Sequence, residues 1–116
     1  MSYIAGSYDM KARQGSTFTE TLTIKIENVP LNITGYAARM MVRAQPSSPT
    51  TVLDLSTDNS KITIVGSTGT VTINVTASEM NGISARSYRY DLELVNGDTV
   101  IPLLEGAFIV KPQVTR

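Results

Sequence analysis

Apolar and polar positions alternate with a period of two through much of the chain, and this pattern predicts β-strands. Between Thr17 and Ile26, threonines and a lysine occupy one face of an extended segment, and apolar residues occupy the other. The apolar face consists of Phe18, Leu22, Ile24 and Ile26. Glu20 interrupts this face near its start, so we expect that end of the strand to lie at the rim of a sheet.

The same alternation recurs along the chain. Further strands are predicted at Tyr36–Arg43, Val52–Leu55, Ile62–Ile64, Val71–Val75, Tyr88–Leu94 and about Val100–Val110. A first strand around Tyr8–Ala12 would pair on a sheet edge. About seven antiparallel strands, separated by regular turn signals, are typical of a two-sheet β-sandwich. A chain of 116 residues has room for one domain, so we assign residues 1–116 to a single all-β domain.

Three local motifs predict how the strands are connected. Asn96-Gly97 favours a tight two-residue hairpin turn, and Gly66–Gly69 is interpreted as a second hairpin turn. Thr76 and Glu79 have the spacing of a helix capping box, with Gly82 as the stop. One short helical turn is therefore expected between the strands.

The strand registers predict which side chains are buried and which outer faces meet. We expect the strand with Arg39 and Arg43 to lie beside the strand with Asp91 and Glu93, so that opposite charges share one face. The predicted core consists of Phe18, Leu22, Ile24, Met40, Val42, Ile73, Tyr90, Leu92 and Phe108.

The composition argues against several classes of function. The chain has no Cys and no His, which removes disulfides, thiol chemistry and the commonest metal ligand. Lys plus Arg and Asp plus Glu are both 10, so no net charge attracts nucleic acid or an anionic membrane. Four acidic residues, Asp54, Asp58, Asp98 and Glu105, could conceivably bind Ca²⁺ but lack the dense spacing of Ca²⁺ loops. We predict no catalytic residues, no metal and no cofactor, and hence no enzyme.

The amino-terminal segment allows two interpretations. Met1–Gly6 shows no basic region followed by an apolar stretch, so no secretory signal is expected and synthesis is predicted in the cytoplasm. No apolar run approaches the length of a membrane span. Tyr3 and Ile4 have no evident place in the core. The first interpretation is that the chain begins with the strand around Tyr8–Ala12 on a sheet edge. The second is that residues 1–6 form an extended arm that becomes ordered on a neighbouring subunit through Tyr3 and Ile4, and both can hold together.

Five short phrases of the sequence form a recognisable set: Gln14–Phe18, Leu31–Tyr36, Ala38–Met40, Tyr90–Leu94 and Leu104–Gly106. They resemble a family of small bacteriophage virion domains, similar to the amino-terminal domain of phage baseplate upper proteins. Their order and spacing cover nearly the whole chain. Ser16 and Asn32 stand where the family usually has Asp, and both replacements are compatible with turns.

The resemblance implies an immunoglobulin-like fold and a place in the virion. Its expected role is a non-enzymatic protein-interaction module of the tail, baseplate, neck or capsid surface, with other virion proteins as partners and repeated copies in the particle. An alternative is a carbohydrate-binding or adhesive module that contacts the host surface. Such sites usually present exposed aromatic rings, and the chain has no Trp, 2 Phe and 5 Tyr.

Overall fold

A computed structural model describes residues 6–26 and 29–114, and these residues are predominantly β-strand. The elements in chain order are β1 (Gly6–Ser7), β2 (Met10–Arg13), β3 (Phe18–Thr23), β4 (Lys25–Ile26), β5 (Val29–Pro30), β6 (Ala37–Arg43), β7 (Leu53–Ser56), β8 (Ile62–Val65), β9 (Thr70–Val75), α1 (Ala77–Asn81), β10 (Ser87–Asn96) and β11 (Thr99–Lys111). A short 3-10 turn, Gly66–Thr68, joins β8 to β9. The prediction of a mostly β domain with one short helical turn is confirmed.

Most strands belong to one of two sheets. The large sheet has the order β1-β11-β10-β6-β7, and β2 also pairs with β11. The small sheet has the order β3-β9-β8, while β4 and β5 form a separate two-stranded hairpin. This arrangement is compatible with the sandwich that the strand spacing predicted.

The two sheets share one hydrophobic core. Phe18 of the small sheet meets Phe108 of the large sheet edge to face, with ring centroids 5.3 Å apart. Of the predicted core residues, seven are buried, namely Phe18, Met40, Val42, Ile73, Tyr90, Leu92 and Phe108. Leu22 and Ile24 are only partly buried, because β3 is the edge strand of the small sheet and its pairing with β9 ends at Thr23.

The predicted capping box is present at α1. The Thr76 hydroxyl accepts a hydrogen bond from the Glu79 amide, and the Glu79 carboxylate accepts one from the Thr76 amide. Met80 is fully buried and fixes the helical turn to the core. The Gly66–Gly69 hairpin also forms, with Gly69 in the left-handed region at φ 66°.

The last hairpin differs from the prediction by one residue. Asn96 is the last residue of β10 and pairs with Thr99, so the two-residue turn is Gly97-Asp98 and not Asn96-Gly97. Gly97 has φ 60° at the first turn position, where one of the two common hairpin turns requires glycine.

The amino-terminal edge of the large sheet corrects a second prediction. β2 lies on the sheet edge as expected, but both β1 and β2 run parallel to β11, so the strands are not all antiparallel. Gly6, the last residue of the predicted arm, already pairs with Leu104. Residues 1–5 lie outside the described part of the chain.

A β-bulge shifts the register between β10 and β11. Leu92 pairs with Leu104, whereas Glu93 pairs with Pro102, so Leu103 is the extra residue. Before the bulge the buried residue of β11 has an odd number, Ile101. After the bulge the buried residues have even numbers, such as Phe108. The bulge therefore determines which residues of β11 reach the outer face of the sheet.

Candidate protein-interaction surface

The outer face of the large sheet carries most of the strand-borne charge. Along β10 the odd-numbered residues point outwards between buried even-numbered neighbours. With the matching positions of β6 and β11 they form a surface that we call the charged face: Arg39, Arg43, Arg89, Asp91, Glu93 and Glu105. These side chains come from three adjacent strands and are held at fixed spacing by the sheet.

One ion pair on this face agrees with the charge pairing that the sequence predicted. β6 and β10 are neighbours, as predicted, and Glu93 lies directly opposite Arg39. The Arg39 Nε donates to the Glu93 carboxylate at 2.8 Å. Surface pairs of this kind contribute at most about 1 kcal/mol, so this pair is consistent with the register but adds little stability.

The other four charged residues of this face form two cross-strand pairs of like charge. Arg43 lies directly opposite Arg89, and Asp91 lies directly opposite Glu105. Like charges at such positions destabilise a sheet. Within residues 6–26 and 29–114, none of these four side chains forms a salt bridge. The Arg43 guanidinium instead donates to the Ser48 backbone carbonyl at 2.8 Å.

The electrostatics of Asp91 reflect this arrangement. Partial burial raises the pKa of the Asp91 carboxyl, and the neighbouring Glu93 and Glu105 raise it further. Arg39 and Arg43 oppose this rise in pKa through their positive charge. Among the described residues, the Asp91 carboxylate has no salt-bridge partner to offset these effects.

A depression of about 150 Å³ lies at the centre of the charged face. Its lining includes Met41, Arg43, Arg89, Asp91 and Glu105, and Pro46 of the loop after β6 also contributes. Its lining has both charge signs together with the apolar side chain of Met41. Such a surface can dock a protein side chain.

A second, more open groove of about 420 Å³ runs between β2 and β3. Lys11, Arg13 and Lys111 make it basic, and Glu20 lies at its other side. All three basic side chains are exposed. Their spread over the surface provides charge but no enclosed binding site.

Two tyrosines tie the end of the large sheet to preceding backbone, and the sequence analysis did not identify either contact. The Tyr88 hydroxyl donates to the Ser84 carbonyl at 2.7 Å. The Tyr90 hydroxyl donates to the Tyr8 carbonyl, and burial raises the Tyr90 pKa. The Tyr8 hydroxyl in turn donates to Glu20 at 2.6 Å, which raises the Tyr8 pKa. The first contact could have been suspected from the position of Tyr88 at the start of a strand.

The other residues singled out from the sequence are not brought together. Asp54 and Glu105 lie on strands of the large sheet, Asp58 lies in the turn after β7, and Asp98 lies in the last hairpin turn. Over the described ranges no three acidic residues are grouped as metal ligands would be. Tyr3 and Ile4 lie outside these ranges.

Membrane spans and known relatives add no further assignment to this surface. In the described part of the chain no helix is both long and apolar enough to cross a bilayer. The sequence matches no known family model, and the curated proteins contain no significant match to it.

Proposed function

We propose that the chain is a non-enzymatic structural protein of a phage virion, an immunoglobulin-like module that binds other virion proteins. The proposal rests on the sequence phrases that resemble the amino-terminal domain of phage baseplate upper proteins. The charged face is proposed as a contact surface between subunits of the particle, and the position in the tail, baseplate, neck or capsid stays open.

Strand order supports the immunoglobulin-like part of the proposal. In immunoglobulin domains one sheet contains the second, fifth and fourth strands, and the other contains the seventh, sixth and third. If β2 is counted as the first strand, β3-β9-β8 corresponds to the first of these sheets. β11-β10-β6 corresponds to the second, and β7 occupies the place of the extra strand in variable-type domains.

The strongest support for an immunoglobulin-like fold is the hydrogen bond that the Tyr88 hydroxyl makes. Immunoglobulin-like domains have a tyrosine near the start of their sixth strand whose hydroxyl bonds to backbone a few residues upstream. Tyr88 is the second residue of β10, the corresponding strand, and bonds to the carbonyl of Ser84, four residues upstream. This contact lies in the same corner of the fold and has the same chemistry.

The charged face supports the interaction role. Charge patterns across an interface determine the orientation and the choice of partner more than the affinity. A face on which a basic pair and an acidic pair line one depression has what such recognition needs. The adhesive alternative requires exposed aromatic rings, and within the described residues Tyr8 is the only exposed aromatic among the large hydrophobic side chains.

Quantitative mass spectrometry of washed, density-purified particles tests the proposal. We expect the chain in every particle, at a copy number that matches the rotational symmetry of one substructure. A matched binding assay of the purified domain on host cells and on a glycan array should give no signal. Absence from washed particles would overturn the virion role, and specific glycan binding would favour the adhesive alternative.

A further inference from the structure

We propose that the charged face binds the charged face of a second copy of this chain, with a two-fold axis that passes between Arg89 and Asp91. The inference deepens the proposed function, on which it rests, because it names the surface through which repeated copies associate. The partner is the same chain, so the interface is self-complementary.

The two residues have the spacing that such an interface needs. Arg89 and Asp91 are two positions apart on β10, both are exposed, and both point away from the core. Consecutive outward positions on a strand are about 6.5 to 7 Å apart. A two-fold axis parallel to the sheet and perpendicular to the strands reverses the strand direction of the second copy. It therefore places Arg89 of each copy opposite Asp91 of the other.

The neighbouring columns of the sheet are compatible with the same axis. On β6, Arg43 lies in the same cross-strand row as Arg89, and Met41 lies in the same row as Asp91. Because the axis exchanges these two rows, Arg43 of one copy would face the Met41 side chain of the other. On β11 the corresponding residues are Ala107 and Glu105, so each Glu105 would face a small methyl group. No like charges meet in these two rows.

The next row outwards adds an apolar contact. Ile109 pairs with Ser87, and Pro102 pairs with Glu93, so the axis brings Ile109 of one copy over Pro102 of the other. Ile109 is partly buried and Pro102 is exposed. A two-fold axis along the strands would instead oppose Arg89 to Arg89 and Asp91 to Asp91, which charge repulsion disfavours.

The like-charge pairs within one domain explain why a second copy would bind. Arg43 against Arg89, and Asp91 against Glu105, are unfavourable in the isolated sheet. Two reciprocal Arg89–Asp91 pairs give one member of each like-charge pair an opposite partner, and isologous contacts of this kind occur in pairs by symmetry. The raised pKa of the Asp91 carboxyl is consistent with a carboxylate that lacks such a partner in one copy.

Charge reversals give a sharp test. Sedimentation velocity over a concentration series should show a monomer–dimer equilibrium for the wild type that weakens as salt is added. Arg89→Glu alone and Asp91→Arg alone should each weaken self-association at least tenfold, because each variant presents two like charges at the axis. The exposed Lys25→Glu on β4, which has the same change of charge as Arg89→Glu, should leave association unchanged.

Two combinations of the variants should restore association, which distinguishes a specific interface from general damage to the fold. An equimolar mixture of the two single variants should form a heterodimer, detected by native mass spectrometry. The chain that carries Arg89→Glu presents two carboxylates at the axis, and the chain that carries Asp91→Arg presents two guanidinium groups to them. The double variant Arg89→Glu/Asp91→Arg should dimerise by itself. At concentrations low enough for the wild type to be monomeric, each single variant should also melt no lower than the wild type, because it places an opposite charge across from Arg43 or Glu105.

A wild type that stays monomeric over the whole series, or a dimer that neither single reversal weakens, would overturn the inference. So would single variants that weaken association while their mixture forms no heterodimer. None of these results depends on the virion. Absence of the chain from purified particles would overturn the proposed function and leave the measured self-association as it is.

Discussion

Phe18 and Phe108 meet edge to face across the core, and this contact joins the small sheet to the large one. Phe108 is fully buried and Phe18 nearly so. Aromatic pairs in this geometry contribute about 0.5 to 1.5 kcal/mol beyond the area that they bury. The contact therefore helps to hold the two sheets together.

Truncation of this core should be strongly destabilising. Phe108→Ala should lower the free energy of unfolding by about 3 to 5 kcal/mol, and Leu92→Ala by about 2 to 5 kcal/mol, because both side chains are fully buried and leave cavities. Urea denaturation monitored by circular dichroism measures both values. Val114→Ala is the control, since Val114 is 84% exposed and should change stability by less than about 0.5 kcal/mol.

The hydroxyl of Tyr88 should have a measurable effect of its own. Tyr88→Phe keeps the buried ring and removes the hydrogen bond to the Ser84 carbonyl, which should cost about 0.5 to 1.5 kcal/mol. The matched control is Tyr36→Phe, because the Tyr36 ring is partly buried and its hydroxyl has no hydrogen-bond partner among the described residues. Equal melting temperatures for the two variants would contradict a role for this bond in holding the corner.

Gly106 should tolerate no side chain. A Cβ at this position would collide with the backbone carbonyl of Tyr8, and the Tyr8 amide donates to the Glu105 carbonyl at 3.0 Å. Gly106→Ala should therefore cost about 1 to 3 kcal/mol and speed hydrogen exchange at the Tyr8 amide. Gly82→Ala is the control, because its Cβ would make only an ordinary contact with the Glu79 carbonyl at 3.7 Å.

The capping box should give stability that depends on pH. The hydrogen bond from Lys61 has the largest effect and holds the pKa of the Glu79 carboxyl below its ordinary value of 4.5. Burial partly opposes this lowering, and the two weaker hydrogen bonds from Thr76 add to it. A lowered pKa in the folded state means that the contribution is complete above pH 4.5 and is lost as the pH falls through the lowered pKa.

Glu79→Gln isolates this effect, because glutamine can still accept in a capping box. The variant should be less stable than the wild type at neutral pH by at most about 1 kcal/mol, and the difference should disappear in acid. Thermal melts from pH 7 downwards measure it, with Glu93→Gln at the other ion pair for comparison. A difference that grows as the pH falls would contradict the assigned direction.

The sequence predicted the elements that local chemistry determines. The alternation around Tyr90 and Leu92, the capping box at Thr76 and the hairpin glycines each depend on neighbouring residues, and all three appear in the structure. The parallel pairing of β2 with β11 could not be predicted, because residues about 98 positions apart meet there. Single-strand periodicity carries no information on such pairing.

The charged face shows the same limit in more detail. The opposition of Arg39 and Glu93 follows from neighbouring strands, but the opposition of Asp91 and Glu105 depends on the bulge at Leu103. β11 is apolar on both faces around that bulge, from Val100 to Leu104, so its alternation does not show where the register shifts. The contact of Tyr3 and Ile4 with a neighbouring subunit stays a prediction, because both residues lie outside the described part of the chain.

The parallel edge formed by β2 and β11 also determines how the domain would carry mechanical load. β2 and the last strand lie side by side and run in the same direction, with Met10 beside Phe108 and Arg13 beside Lys111. Tension applied at the start of β2 and at the end of β11 would slide the two strands along each other. The hydrogen bonds between β2 and β11 would then be loaded together in shear and would not break one at a time.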